Sequence, residues 1–212
     1  MPPWRCHALG SSVSAPSIID PVAISKVILT SESPSALGEA LLSPEIQWTP
    51  LLVNSVLKSL WSHAPKALLF FRILSHHPYY AHHQSSFDHA IDLSSRLRDF
   101  NSTWALLHQM RSLGIGPSHK TFAIITERYV AAGKPHRALK VFLSMHKHGC
   151  LQDLNSFNTL LDVLCKARRV EMASIVFRSI SAAIRPDVVT HNILANGWCL
   201  TKQVPRALEV LK

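Results

Sequence analysis

The sequence has little of several features that mark common protein classes. Cysteine occurs four times among 212 residues, with no C-x-x-C pair and no disulfide-rich spacing. The longest uncharged apolar run, Ala67 to Phe71, is far shorter than the roughly 20 residues that a membrane-spanning helix needs. These absences argue against a disulfide scaffold, a cysteine-based metal site and a transmembrane segment.

Catalytic motifs are also missing. Gly133-Lys134 lacks the preceding glycine of a Walker A loop, and neither a G-x-S-x-G elbow nor an H-x-E with a following C-x-x-C occurs. The histidines of the segment HHPYYAHH, residues 76–83, have irregular spacing and no cysteine nearby. We therefore expect no catalytic residue, no metal site, no cofactor and no small-molecule substrate.

Acidic residues are scarce relative to basic ones. The chain has 13 Asp and Glu against 22 Lys and Arg, and its formal net charge is +9. From His119 onward there are 14 Lys or Arg and 6 acids, so this part holds +8 of the excess. Such a balance favours a polyanionic partner such as nucleic acid. The alternative is that these cations only solvate helix faces.

What the sequence does contain is an internal repeat of 34 or 35 residues. Three ladders of residues share this spacing. The first is Phe87, Phe122, Phe157 and His191; the second is Thr103, Ala138, Ala173 and Ala207; the third is Leu107, Phe142, Phe177 and Leu211. Within a unit, apolar residues recur at steps of three and four, which predicts two amphipathic helices. Proline precedes the second helix at Pro65, Pro135 and Pro205.

A single helix pair cannot bury its apolar stripe, so the units should stack. We predict an all-α fold, a right-handed α-solenoid of helix-turn-helix repeats of about 35 residues. The predicted units are a disordered leader at 1–47, a degenerate capping repeat at 48–83, repeats at 84–118, 119–153 and 154–187, and an incomplete repeat at 188–212. Because the last unit lacks its closing turn, we expect a fragment of a longer array.

The first 19 residues indicate a possible organellar presequence. They contain Arg5 and several serines, and the first acid is Asp20. An ordinary disordered leader is the alternative. A secretory signal is disfavoured because no continuous apolar core follows the positive charge.

Short motifs narrow the repeat family. The Ala-x-x-x-Phe pattern of the second helix occurs in both tetratricopeptide and pentatricopeptide repeats. The unit length and the segments LNSFN (154–158), RPD (185–187) and VVTHN (188–192) make the chain resemble a plain-type pentatricopeptide-repeat protein of plant mitochondria, with the chloroplast as the alternative location. The resemblance implies sequence-selective binding of single-stranded organellar RNA without catalysis, in intron splicing, end formation or transcript stability. Other RNA-processing proteins are further candidate partners, and a tetratricopeptide-like protein-interaction scaffold is the alternative function.

The resemblance also implies roles for individual residues. In that family the fifth and last residues of a unit read a base edge, and the second packs on the base. Asn158 and Asp187 form such a pair, in a combination that the family associates with uracil. Asn192 is the fifth residue of the next unit, with Val189 in its base-packing position. The rival interpretation is that Asn158 and Asn192 only bond within their own helix turn.

Two units depart from the family pattern. Their fifth residues are Asp88 and Ala123, which puts base reading by these units in doubt. Lys120 and Asn155 occupy base-packing positions where the family has an apolar residue. We expect Lys120 to contact a phosphate instead, because an ammonium group is suited to a phosphate oxygen.

Overall fold

The computed structural model describes residues 20–44 and 46–210. In these two ranges the regular structure is entirely helical, with one short 3-10 helix, Met145–His148, after α8. The α-helices are α1 Pro21–Thr30, α2 Pro34–Leu41, α3 Pro50–Ser59, α4 Ala64–Leu74, α5 Gln84–Arg96, α6 Phe100–Ser112, α7 His119–Ala131, α8 Pro135–Ser144, α9 Leu154–Lys166, α10 Val170–Ile180, α11 Val188–Leu200 and α12 Val204–Val210. None of them combines the length and apolar character needed to cross a membrane.

Local sequence signals set the helix starts. The side chains of Ser118, Asp153 and Asp187 each accept a hydrogen bond from the backbone amide three residues later, at the starts of α7, α9 and α11. Such N-caps satisfy an amide that has no partner within the helix. Pro135 is the first residue of α8, where its missing N–H leaves no hydrogen bond unmade.

The helices form two layers. The first helices of successive units, α3, α5, α7, α9 and α11, pack on one another in series, and each second helix packs against its own first helix. Phe87, Phe122 and Phe157, the aromatic ladder of the sequence, are fully buried between these elements. The architecture is therefore the all-α solenoid that the periodicity predicts.

Residues 21–41, which the sequence analysis assigned to a disordered leader, instead form α1 and α2. Helix α1 packs on α3 and α4, and α2 packs on α4. Ile24, Ile28, Leu37 and Leu41 are buried in the same core cluster as α3 and α4. Burial of these side chains offsets the entropy of ordering the segment, so the leader interpretation is wrong for this part. The predicted presequence, residues 1–19, lies outside the described residues.

The closest approach of two first helices is at Gly197. A Cβ atom at this position would lie 2.5 Å from Sγ of Cys165, so α9 and α11 can pack at this distance only with glycine. Cys165 is buried, and burial raises the pKa of its thiol to about 12. Cys199 occupies the equivalent position in α11 but is exposed. The prediction that both cysteines are core residues is thus wrong for Cys199, because no described helix covers that face of α11.

Candidate nucleic-acid interface

Side-chain hydrogen bonds connect the N-terminal ends of neighbouring first helices. The fifth residue of one first helix accepts a hydrogen bond from the hydroxyl of the third residue of the next. Thr190 Oγ1 lies 2.7 Å from Asn158 Oδ1, and Thr121 Oγ1 lies 2.7 Å from Asp88 Oδ1. We call this contact the junction hydrogen bond. It holds the side chain at the fifth position in a defined orientation beside the next unit.

The junction brings the predicted base-reading pair together. Asn158 Nδ2 lies 3.5 Å from Asp187 Oδ1, which also accepts from the backbone amide of Thr190 at 2.8 Å. The Asn158 amide is thus bonded across the junction and not within its own helix turn. Asp187 Oδ2 has no hydrogen-bond partner among the described residues, and Asn158 retains an N–H that the junction does not use. A donor and an acceptor therefore lie side by side.

Asp187 is held in its ionised form. The backbone amide of Thr190, followed by the hydroxyl of the same residue, keeps the pKa of this carboxyl below its usual value. An ionised carboxylate only accepts hydrogen bonds. Asp187 consequently presents an acceptor, and no donor, at neutral pH.

The other two predicted contact residues share one face of α11. Val189 and Asn192 are three residues apart, a spacing that places both on the same side of a helix. Both side chains are exposed, Val189 to 54%. An apolar surface and an amide are thus presented together to solvent.

The units with Asp88 and Ala123 differ from this arrangement. Asp88 is only 4% exposed, and burial raises the pKa of its carboxyl while the Thr121 hydroxyl and Lys120 lower it. Ala123 has no polar atom for a junction hydrogen bond. Lys120 is exposed beside Asp88, and its role as a phosphate contact stays a prediction.

Comparisons with known proteins agree with this geometry. Models of the PPR repeat family and of the pentatricopeptide repeat domain match residues 152–200 and 105–167. A mitochondrial pentatricopeptide repeat-containing protein of Arabidopsis thaliana, At1g74900, is 54% identical over 188 residues, which cover 87% of this chain. The chain belongs to the pentatricopeptide-repeat family.

Two further mitochondrial pentatricopeptide repeat-containing proteins of Arabidopsis thaliana, At1g77360 and At2g13420, are 29% and 28% identical over 82% and 99% of the chain. The chain spans only 39%, 34% and 44% of the length of the three relatives. All three names include the word mitochondrial, which confirms the predicted compartment for this group of pentatricopeptide-repeat proteins.

Solved structures with this fold are also pentatricopeptide-repeat proteins. The protein PPR10 in complex with an 18-nt psaJ RNA element is 22% identical, with a TM-score of 0.63 over 90% of this chain and 31% of that one. The pentatricopeptide-repeat domain of Arabidopsis thaliana protein-only RNase P 1, solved in complex with tRNA, is 13% identical, with a TM-score of 0.53 over 84% of this chain and 95% of that one. At these identities the likeness concerns the fold.

The structure reveals a further pentatricopeptide-repeat position that sequence reasoning missed. Helix α3 begins at Pro50, so Leu51 and Asn54 are its second and fifth residues. Ser86 Oγ lies 2.9 Å from Asn54 Oδ1, which is a third junction hydrogen bond, and Leu51 is 78% exposed. Asn54 precedes Asp88 by 34 residues. That signal was hidden because the unit was taken to start at Trp48.

The histidine-rich loop has a packing role. His82 stacks on Phe71 with ring centroids 3.7 Å apart, and its Nε2 lies 2.8 Å from the Phe71 carbonyl oxygen. Burial lowers the pKa of His82 to about 4. Tyr80 is buried beside it, whereas Tyr79 is exposed. Within 20–44 and 46–210, no group of three or more His, Cys, Asp or Glu side chains is arranged to hold a metal ion.

Proposed function

We propose that this chain is a non-catalytic, sequence-selective binder of single-stranded RNA in plant mitochondria. The observation that carries the proposal is the Asn158–Asp187 pair, in which a free acceptor lies beside an amide donor at a unit junction. The complex of PPR10 with an RNA element supports it, because that protein has the same fold. Bases of a single strand are not paired, so their hydrogen-bonding edges are available to such side chains.

The pair is complementary to uracil. The N3–H group of uracil is a donor that Asp187 Oδ2 can accept, and the neighbouring carbonyl oxygens can accept from Asn158 Nδ2. Cytosine has an unprotonated N3, so the carboxylate would face a lone pair. The junction hydrogen bond favours this discrimination because Thr190 occupies the amide oxygen and leaves Asn158 to donate.

Further contacts extend the same row. Asn192 with Val189, and Asn54 with Leu51, combine a fifth-position amide with an exposed apolar residue that can pack on a base. Four of the five fifth positions are polar, namely Asn54, Asp88, Asn158 and Asn192, and Ala123 is the exception. A row of amides and a carboxylate favours nucleotide bases over an apolar peptide segment, the ligand expected of a scaffold.

The cellular role that we propose is transcript processing, by intron splicing, end formation or stabilisation of a mitochondrial RNA, with other RNA-processing proteins as candidate partners. Crosslinking of the protein to RNA in isolated mitochondria, followed by sequencing, tests this role. We expect reads concentrated at a few transcript sites. Reads spread evenly over the mitochondrial transcripts would contradict selective binding.

The base assignment is tested by moving the junction into a longer synthetic array. Residues 154–192 are grafted, since the site needs Thr190 as well as Asn158 and Asp187. We expect a preference for uracil over cytosine of about 1–3 kcal/mol, the range for a well-formed base contact. Asp187→Asn should reduce it, because an amide can donate to N3 of cytosine. Equal binding of all four bases by the grafted array would disprove the assignment.

A further inference from the structure

Three residues of the described chain adopt a left-handed backbone conformation without being glycine, and all three are basic. They are Arg98, Arg168 and Lys202, with φ of 60°, 58° and 62°. Each lies in the turn between the first and second helix of its unit. The equivalent residue of the fourth such turn is Gly133, with φ of 74°. The four positions are spaced by 35, 35 and 34 residues, so they occupy one register of the repeat.

The turn geometry explains why glycine is the expected residue there. The amide of Arg168 donates to the Cys165 carbonyl, and the amide of Arg169 donates to the Leu164 carbonyl, both at 2.9 Å. This pair of bonds closes a helix only when the residue between them has a positive φ, a conformation that is strained for a side chain with a Cβ atom. The turns between units make the same bonds with glycine at Gly114 and Gly149. Strained residues that recur in register suggest a functional reason.

Charge is concentrated in the same turns. The four-residue segments 96–99, 131–134, 166–169 and 200–203 contain seven cations and one acid, Asp99. The seven are Arg96, Arg98, Lys134, Lys166, Arg168, Arg169 and Lys202. The turns between units, 75–83, 113–118, 145–153 and 181–187, contain two cations and two acids. The turns at one edge of the solenoid are thus strongly basic and those at the opposite edge are neutral.

The strained residues also have the free charges of this edge. The side chains of Arg98, Arg168 and Lys202 are exposed and make no hydrogen bond, ion pair or ring contact within the described residues. Neighbouring cations are engaged: Lys166 Nζ lies 2.6 Å from Asp162 Oδ2, and the Arg96 guanidinium lies 4.2 Å from the Trp61 ring centroid. The three unengaged cations are therefore available to an external anion.

Successive turns form a continuous edge. Arg98 lines one shallow depression with residues of the end of α7, Ala131 and Ala132. Arg96 donates to the carbonyl oxygen of Trp61, in the preceding turn, at 3.0 Å. Because the first helices stack side by side, their C-terminal ends follow one another along the array. We call this row, with Arg98, Arg168 and Lys202 as its free cations, the turn edge.

We propose that the turn edge binds the phosphodiester backbone of the single-stranded RNA whose bases contact the opposite ends of the first helices. This inference rests on the proposed function and adds the path of the strand across each helix. Ten residues of α-helix separate Asn158 from Arg168, a distance of about 15 Å. Bases at the N-terminal ends and phosphates toward the C-terminal ends give the strand one orientation across the first helices.

A purely structural reason for these cations also exists, since a positive charge at a helix C-terminus stabilises the helix dipole. The two roles predict different results for substitution by glycine. Glycine removes the charge and also relieves the backbone strain, so a phosphate contact is lost without loss of fold. If the cations only stabilise the helices, glycine should lower the melting temperature and leave RNA binding unchanged.

The test compares two variants that each lose two charges. Arg98→Gly/Arg168→Gly changes the turn edge, and Lys147→Ala/Arg185→Ala changes the two cations of the turns between units. Binding of a labelled single-stranded RNA to the 212-residue chain is measured over a range of salt concentrations, starting at low salt. The slope of log affinity against log salt falls by about 0.7 per lost phosphate contact. We expect the turn-edge variant to lower the slope by about 1.4, the control to change it much less, and Gly133→Arg to increase it.

The outcomes separate this inference from the function on which it rests. Equal slopes for the two double variants, or a lower melting temperature without a change of slope, would overturn the turn-edge assignment and leave RNA binding intact. Absence of RNA binding by the unmodified chain at low salt would overturn both. A polyglutamate peptide serves as a second probe: turn-edge-dependent binding of the peptide, with RNA binding unaffected, would show an acidic protein partner and contradict the inference.

Discussion

The Thr190 hydroxyl lies 2.7 Å from the Asn158 amide oxygen and 2.8 Å from Asp187 Oδ1, so one hydroxyl group contacts both members of the base-reading pair. Thr190 itself is fully buried. It is part of the N-cap of α11 and at the same time orients a residue of the preceding unit. Folding of the helix start and orientation of the candidate base site therefore depend on the same atom.

Replacement of this hydroxyl should weaken base discrimination more than overall binding. Thr190→Val keeps the side-chain shape but leaves Asn158 Oδ1 and the Asp187 amide without the hydroxyl. We expect the uracil preference in the grafted array to fall several-fold and the free energy of unfolding to drop by about 1–2 kcal/mol. Thr190→Ser retains the hydroxyl and is the matched control. The orienting role is refuted if the valine and serine variants discriminate uracil from cytosine equally well.

The close packing of α9 on α11 predicts opposite effects for the same substitution at two glycines. Gly197→Ala places a Cβ 2.5 Å from Cys165 Sγ, so the helices must separate, which we expect to destabilise the fold by about 1–3 kcal/mol. Gly38→Ala, in α2, meets no atom within 4 Å and should stabilise the fold by about 0.5–1 kcal/mol through helix propensity. Urea unfolding measures both. A neutral Gly197→Ala would mean that the two helices pack more loosely than described.

Burial of His82 predicts a loss of stability in mild acid. Its pKa is about 4 in the folded chain against an ordinary value of 6.5, because burial disfavours the imidazolium. Between these values the unfolded chain binds a proton that the folded chain does not. Stability is therefore complete above pH 6.5 and falls as the pH decreases toward 4, by on the order of 3 kcal/mol.

The measurement is the free energy of unfolding in urea at several pH values across this window. His82→Phe preserves the stacking on Phe71 and removes the titrating group, so its stability should depend less on pH. His83→Gln, at an exposed position of the same loop, is the control and should respond as the unmodified chain does. Identical pH profiles for His82→Phe and the unmodified chain would show that His82 does not titrate as described.

The residues before α1 predict mitochondrial import. Segment 1–20 has one basic residue, Arg5, and no acid before Asp20, and α1 begins at Pro21. A fluorescent reporter fused after Asp20 should therefore enter mitochondria in plant cells. Arg5→Glu is the control and should reduce import. Diffuse cytosolic fluorescence of the unmodified fusion would contradict the presequence assignment.

The solenoid could be predicted because its signals are periodic and local. Phe87, Phe122 and Phe157 recur at a fixed spacing, and an N-cap residue such as Asp187 marks a helix start. Helices α1 and α2 escaped prediction because they have only 10 and 8 residues, too few for the apolar period to become visible. Their order depends on contacts with α3 and α4, which the local sequence does not encode.

The candidate site was only partly predictable for a related reason. The positions of Asn158 and Asp187 follow from the repeat register, but the hydrogen bond to Thr190 joins residues 32 apart in sequence. No local pattern predicts such a partner. Likewise, the left-handed conformation of Arg168 contradicts its residue type, so only the folded turn reveals it.

The junction hydrogen bond has a consequence for how such arrays recombine. Because the fifth residue of one unit is oriented by the third residue of the next, as with Asn158 and Thr190, a base site belongs to a pair of neighbours. Exchange of one whole repeat would therefore alter the sites on both of its sides. Shuffling that cuts within a unit, between its first-helix N-terminus and the following turn, would transplant a site intact. The heritable module of specificity is then the boundary between repeats.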